Sequence, residues 1–502
     1  MQSRYSFFCI LSFGLLLAAG SCTKKLNTNQ VDPNGEGVNL LTGSTVFPQI
    51  LTSMVKNKLG ANIATGSDNY DFASQYMGYW ARSNSFSASG SQAEMESFSY
   101  LNSFGDGNWQ SLYQTIYDMN FVMAHSVKNS ILPGAARALR AMAFQDLVDQ
   151  FGNVPYSQAD QPALYLEPKY DSASTIYQDL AAQLDTAVTE IQASQSTTDD
   201  ASDIMFKGSK PLWTAFANTI KLRVLLRQIP NGNVSSVTTQ IAALQQQVGG
   251  FLGAGQDALV NPGYANAVQQ QNPFWAQYGY TPAGVAVQNY DAFCSGQLMI
   301  AFLDSINDPR IGYFYSITTA NNYFGNYFGE TGNSSTPTSN FGPGILQSAS
   351  APALLFSAAQ SFFMQAEAVQ RGLMTGNAGA LYQQGVEESF RYLTVPNATA
   401  AADAFLAGSS NGMVNFSISA NKLQTILYQK WIAECELDGL EAYSDYRRTG
   451  FPFIAVVSRA APGQPMPQRL LYPESEYTQN PANVDAQNQT ASDLFTPIFW
   501  AQ

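Results

Sequence analysis

The stretch whose reading decides the fold is KWIAECELDGLEAYSDYRRTGFP, Lys430 to Pro452. Just upstream, Leu423, Ile426 and Leu427 recur with Trp431 at helical spacing, so the apolar stripe of a helix runs into it. Gly450 followed by Pro452 ends that helix, and Arg447 and Arg448 fall in its last turn, where cations complement the carbonyl end. The stretch also carries acid: Glu434/Asp438 and Glu441/Asp445 are pairs at i,i+4 spacing, so each pair shares a helix face. That spacing permits acid/base work by two carboxylates. Lys430, Arg447 and Arg448 lie within reach of all four, however, and favour an ion-paired structural helix end over a catalytic dyad.

Outward from this stretch the chain is organised in helical pairs. Phe104 to Asn108 (FGDGN) reads as a turn, followed by a helix to His125 with Trp109, Leu112, Tyr113, Ile116 and Tyr117 in one stripe. Pro133-Gly134 precedes a second helix, with a stripe of Leu139, Met142, Ala143, Leu147 and Phe151, that Gly152 and Pro155 end. Asp171 or Ser172 caps a third, carrying Ile176, Leu180, Leu184, Ala187 and Ile191, and Ser209 with Pro211 opens a fourth, carrying Trp213, Phe216, Ile220 and Val224. After a long gap, Leu355, Ala359, Phe362, Ala366 and Val369 form a helix closed by Arg371-Gly372, and the segment Tyr382 to Tyr392 pairs with it. Helix-turn-helix units with Ala-rich contacts are how tetratricopeptide-like arrays bury a face, although no strict repeat register is present. Glu367, set between Ala366 and Ala368, is expected to have a partner that the sequence does not name.

The quoted helix resembles the closing signature of the SusD/RagB family of outer-membrane nutrient-binding lipoproteins. Segments 136–157, 169–188, 210–228, 354–372 and 468–481 resemble further blocks of that family, in the family's order. The resemblance implies an all-α fold in which tetratricopeptide-like helical hairpins support a large irregular, loop-rich ligand-binding region. It also implies a SusC-like TonB-dependent outer-membrane barrel as partner, over which such a protein sits as a lid, and ligand contacts on loops that vary from member to member. Surface exposure on the outer membrane is likewise an implication of the family.

Composition is consistent with export and with neutral ligands. The 502 residues carry a net charge of −13 from only 12% charged residues, so the surface is built largely of Asn, Gln, Ser, Thr and Tyr. No basic run is present to neutralise phosphates, which argues against nucleic acid as a partner. The single histidine, His125, removes Ser-His and Cys-His catalysis and multi-His metal sites; no phosphate-cradling Gly loop or calcium loop is present, and no cofactor is expected.

Residues 1–21 read as a signal peptide, with Arg4 before an apolar run from Phe7 to Ala19 that is short for a bilayer span. Ala19-Gly20-Ser21-Cys22 follows, where a lipoprotein signal peptidase leaves Cys22 as an acylated N-terminus; Ala19 stands where Leu is usual, so a plain secretory peptide is the alternative. Residues 22–45 read as a polar tether, whose Lys24 and Lys25 depart from the acidic export signal common after such a cysteine. Residues 46–502 form one domain: helical hairpins over 46–248 and 351–450, a loop-rich aromatic segment over 249–350 and an irregular end over 451–502. Cys294 and Cys435, far apart in sequence, are expected to be buried free thiols.

The aromatic segment is the candidate ligand region. Flat rings beside amides and hydroxyls suit sugars, whose C–H faces pack on aromatics while their hydroxyls find neutral hydrogen-bond partners, and they also suit peptides. Trp275, Tyr278, Tyr280 and Tyr323 are the candidate contacts there, while other rings of the segment hold the loop together. A second patch comprises Tyr76, Tyr79, Trp80 and Arg82; adjacent Tyr79 and Trp80 point to different sides, which places one of them at a surface or loop edge. Capture of an oligosaccharide, or of a peptide, competes with two readings: a glycoside hydrolase using Glu434, Asp438, Glu441 or Asp445, and a plain interaction scaffold. Asp308-Pro309-Arg310 is a turn whose arginine either braces the loop or touches ligand.

Overall fold

The computed structural model describes residues 41–59, 71–159, 161, 163–229, 234–330, 336–455 and 457–501. Cys22 and the segment read as signal and tether lie outside these residues, apart from the tether's last few positions. The fold is all-α, with tetratricopeptide-like hairpins and only short strands, as expected. Among the described residues no helix is long and apolar enough to cross a membrane.

Local chemistry accounts for the helix starts. Ser172 Oγ accepts from the Thr175 amide at 3.2 Å, so Ser172 is the cap, while Asp171 pairs in a short strand. Ser209 caps the next helix, whose first turn holds Pro211, where a missing amide hydrogen costs nothing. Two boundaries differ from the sequence reading: one helix begins at Asp106, inside the expected turn, and another at Leu132, so that Pro133 and Gly134 fall within its first turn.

In chain order the principal helices are α1 (Gly43–Leu59), α2 (Asp106–His125), α3 (Leu132–Phe151), α4 (Ala173–Ala193), α5 (Lys210–Arg227), α6 (Ala358–Gln370), α7 (Ala378–Tyr392), α8 (Ala398–Gly408), α9 (Lys422–Ala433) and α10 (Gly439–Thr449). From α1 to α5 each packs on the next; α6 packs on α7 and α9, α7 on α8, and α6 reaches back to α5, joining the two sets. Between the sets, residues 249–350 are mostly irregular, with short helices and a two-stranded pairing of Trp80–Arg82 with Phe293–Ser295. Cys294 and Cys435 are buried free thiols; burial pushes Cys294 up to about 12.

The signature stretch is two helices rather than one. α9 ends at Ala433, the chain turns through Glu434–Leu437 with Glu436 at φ 64°, and Asp438 Oδ1 caps α10 by accepting from the Glu441 amide at 3.3 Å. Gly439 permits the turn's close approach to a neighbouring segment, since a Cβ there would lie 2.3 Å from Ser74 Oγ. Gly450 then closes α10 at φ 74°, as the sequence indicates.

This double helix anchors an interior ion network. Lys430 Nζ lies 2.7 Å from Glu441 and 2.6 Å from Asp445, with Glu434 at 3.5 Å. Arg227 of α5 reaches Glu441 at 2.5 Å and Asp149 of α3 at 3.2 Å. Glu367 of α6 has its partner: Arg448 grips both its oxygens at 2.6 and 2.8 Å, and Arg371 adds a contact at 2.7 Å. Burial alone would raise Glu367, but the Arg448 guanidinium overrides it and holds the carboxyl at about 2. Burial likewise opposes the charge on Lys430, and its carboxylates outweigh that and hold its pKa well above the ordinary value. Arg447 turns elsewhere, donating to the carbonyls of Asp149 and Gln468. Arg310 is buried and braces its loop, bonded to Asp308, Ser389 and Gln429.

Removing one member of a buried set strands the others' charge, so Lys430→Ala should cost about 3–5 kcal/mol of unfolding free energy. Arg137→Ala, which removes a half-exposed pair with Glu190, should cost about 1 kcal/mol or less, and urea denaturation of both variants measures the contrast. Glu436 titrates in the other sense. It is buried with no hydrogen-bond partner on either carboxylate oxygen, and burial pushes it up to about 8. The folded state therefore holds a proton that the unfolded state has lost, so this group's contribution to stability falls as pH rises from about 5 to 8. Glu436→Gln should flatten that part of the slope, read as urea midpoints at the two ends of the range.

Candidate functional site

Three half-exposed rings of the irregular segment meet in one strip. A short helix, Pro273–Tyr278, is capped by Asn272, whose Oδ1 accepts from the Trp275 amide at 3.1 Å and whose Nδ2 donates to the Ala351 carbonyl at 2.9 Å. After Gly279 the chain makes a tight reversal in which Tyr280 bridges to Ala286, then enters a second short helix, Gln288–Ala292, carrying Tyr290. The reversal returns Tyr280 between the other two rings. Trp275 and Tyr280 have centroids 5.6 Å apart, and Tyr280 and Tyr290 5.0 Å, both tilted.

Amides fix the strip from behind. Gln271 Nε2 donates to the Tyr280 carbonyl at 3.0 Å and Asn340 Nδ2 to the Tyr290 carbonyl at 2.5 Å. Thr281, Pro282 and Asn289 are half-exposed beside the rings, and Gln288 and Asp291 are exposed. Below Trp275 a cavity of about 20 Å³ is lined by Asn272, Phe274, Gln347, Tyr392 and Glu436. The buried Trp275 Nε1 has no partner. The turn between α9 and α10 thus reaches the underside of the strip.

The sequence-derived candidates divide between strip and interior. Trp275 and Tyr280 are brought together in the strip, and Tyr290, one of the rings of the aromatic segment, is the member that site reasoning left out. Tyr278 is buried. It joins a nucleus in which Trp80 contacts Tyr278 at 4.8 Å, Phe341 at 5.2 Å and Phe293 at 5.4 Å. Tyr79 is buried too: it stacks on Trp431 at 6.0 Å and donates its hydroxyl to the Trp431 carbonyl at 2.6 Å. The expectation that Tyr79 or Trp80 lies at a surface or loop edge is therefore corrected. Both sides of this segment are covered, one by the signature helices and the other by the aromatic segment. Tyr76 and Arg82 of the same patch are also interior, with Arg82 paired to Glu96 at 2.9 Å. Tyr323 is half-buried and packs its hydroxyl against Gly312. Only the accessible face of a ring can take a ligand, and sequence alone does not show which face that is.

The four carboxylates considered for hydrolysis are all buried. Glu434, Glu441 and Asp445 surround Lys430, and Asp438 pairs with Lys58 at 2.8 Å. Glu434, Glu441 and Asp445 also bring oxygens close enough to hold a cation, and the Lys430 ammonium occupies that position. Beside the strip the accessible groups are therefore the rings, neutral amides and hydroxyls, and the one exposed carboxylate named above, Asp291.

Comparisons with known proteins agree with this architecture. No curated protein matches the chain. A chitin-binding SusD homologue from Flavobacterium johnsoniae is similar in structure with a TM-score of 0.71 at 21% identity, over 90% of this chain and 98% of that one. A SusD/RagB family protein from Bacteroides thetaiotaomicron gives a TM-score of 0.74 at 19% identity, over 92% and 99%. A SusD homologue from Bacteroides vulgatus gives 0.71 at 20%, over 91% and 98%. At these identities the likeness concerns the fold. A family model described as "Starch-binding associating with outer membrane" matches residues 39–473, most of the sequence, and the chain belongs to that SusD-like family.

Proposed function

We propose that this protein captures oligosaccharide or polysaccharide nutrients at the cell surface and delivers them to a SusC-like TonB-dependent transporter of the outer membrane. The observation that carries the reading is the strip of Trp275, Tyr280 and Tyr290, three half-exposed rings in mutual contact on a SusD-like scaffold. Sugar units lie flat on such rings, and the neighbouring Asn, Gln and Thr side chains match hydroxyl groups without charge. The chitin-binding relative supports the ligand class.

The fate of the acids of the signature stretch supports binding without hydrolysis. A retaining or inverting glycosidase needs two carboxyl groups facing the same bond, and the four acids of the signature stretch are buried in structural contacts instead. In this reading Cys22 carries the lipid that holds the protein to the outer membrane, facing the exterior, with residues 22–45 as tether.

Two measurements test the proposal. Calorimetric titration of the chain lacking residues 1–22 against a polysaccharide panel, with reducing ends assayed in the same samples, should show binding without release. Trp275→Ala should weaken that binding about tenfold, equivalent to about 1.4 kcal/mol. Release of reducing ends would reject the binding-only reading, and binding of peptides alone would replace the ligand class. Separately, Cys22→Ser should abolish incorporation of labelled fatty acid in growing cells; unchanged labelling would place the anchor elsewhere.

A further inference from the structure

Outside the strip, one pocket combines the same chemistry on different elements. It measures about 490 Å³, within the roughly 300–1,000 Å³ usual for small-ligand sites, and shares no residue with the strip. Its wall is α2, where Trp109, Tyr113 and Tyr117 follow one another at four-residue spacing along one face. The sequence places these rings in one stripe, and burial decreases along it: Trp109 is interior, Tyr113 is half-buried and Tyr117 is 48% exposed. Tyr165 and Leu166 face them from the segment after the strand Val154–Pro155, at 40% and 84% exposure. Exposed apolar groups at the mouth of a cavity are what a ligand would cover.

The polar lining indicates the ligand's character. Gln110 and Gln114, a second four-residue step on α2, stand beside the rings, and exposed Gln161 and Gln479 lie on other sides of the pocket. Among the described residues, no lysine or arginine lines it. Its one carboxylate among the described residues, Glu476, is already engaged, accepting from Tyr170 Oη at 2.8 Å and from Asn480 Nδ2 at 3.1 Å. Aromatic walls with a rim of amides suit a neutral, hydroxyl-rich ring.

We infer that this pocket is a second glycan subsite, separate from the strip, in which a neutral sugar unit packs between Tyr117 and Tyr165 and bonds to the amides of Gln110 and Gln114. The inference takes its ligand class from the glycan-binding reading and is independent of that reading's location. Two sites on one lipid-anchored chain would hold a long polysaccharide at two points, raising its effective concentration at each.

The test is calorimetric titration with chitohexaose and with maltoheptaose of the chain lacking residues 1–22 in three forms: unaltered, Tyr117→Ala/Tyr165→Ala, and Trp275→Ala/Tyr290→Ala. The unaltered chain should show two binding events with at least one probe. Tyr117→Ala/Tyr165→Ala should lose one event or weaken it about tenfold, a size ordinary for aromatic contacts, while the strip variant retains it. Both altered rings of the pocket variant are exposed, so its fold should survive, with far-ultraviolet dichroism as the check; Gln110→Ala/Gln114→Ala, on the solvent side of the helix, should weaken the same event if the tyrosine variant is misfolded. Unchanged stoichiometry and affinity in the pocket variants would overturn the second site and leave the strip reading standing. Loss in the pocket variants with no effect of the strip variant would support the pocket and reject the strip. No binding of either probe by the unaltered chain would overturn both.

Discussion

Lys430 is the constraint on which the rest of the structure depends. An ammonium group held out of water is tolerated only where carboxylates replace its hydration, and Glu441 and Asp445 do so at 2.7 and 2.6 Å. Each of those acids has a further cation, Arg227 of α5 for Glu441 and Arg448 of the same helix for Asp445, and Arg448 also holds Glu367 of α6. The set therefore ties α3, α5, α6, α9 and α10 into one arrangement. Buried ion pairs add little stability over apolar packing of the same shape, but they penalise misalignment strongly. Here that geometric demand sits where the two sets of helical hairpins meet.

The same stretch also holds up the loops. The Tyr79 hydroxyl bonds the Trp431 carbonyl, Tyr315 bonds the Tyr79 carbonyl at 2.7 Å, and Trp80 carries the aromatic nucleus of Phe293, Phe341 and Tyr278. Aromatic contacts of this kind contribute roughly 0.5–1.5 kcal/mol each beyond their burial. An irregular segment with few backbone ladders keeps one shape because such rings pin it from below. The half-exposed rings of the strip are the outer layer of that structure.

Much of the scaffold was legible in the sequence because its signals are local. Ser172 and Ser209 cap helices through amides three residues away, and Gly450 ends one by its own backbone freedom. What was not legible depends on distance or on accessibility. Arg448 meets Glu367 from 81 residues along the chain, and no short-range pattern encodes that pairing. The turn between α9 and α10 places a glutamate at positive φ, which sequence rules reserve for glycine or asparagine. Asp438-Gly439 with Glu441 was the available sign of a new helix start, and the continuous apolar stripe concealed it. Ring chemistry identified the aromatic segment but not which rings face solvent: Tyr278 and Trp275 are three residues apart on one short helix, one buried and one half-exposed.

The short connection that carries Tyr280 has a consequence for how such a protein changes over generations. Its flanks are fixed by Asn272 before it and by Asn340 behind Tyr290, while Ala283, Gly284 and Val285 between them are exposed. Insertions or replacements there leave the helical hairpins and the interior charges untouched, since surface loops accommodate added length at small entropic cost. Under the reading proposed for the strip, its connection and the interior charges are written in different parts of the chain, and selection can rewrite the first without having to rediscover the second.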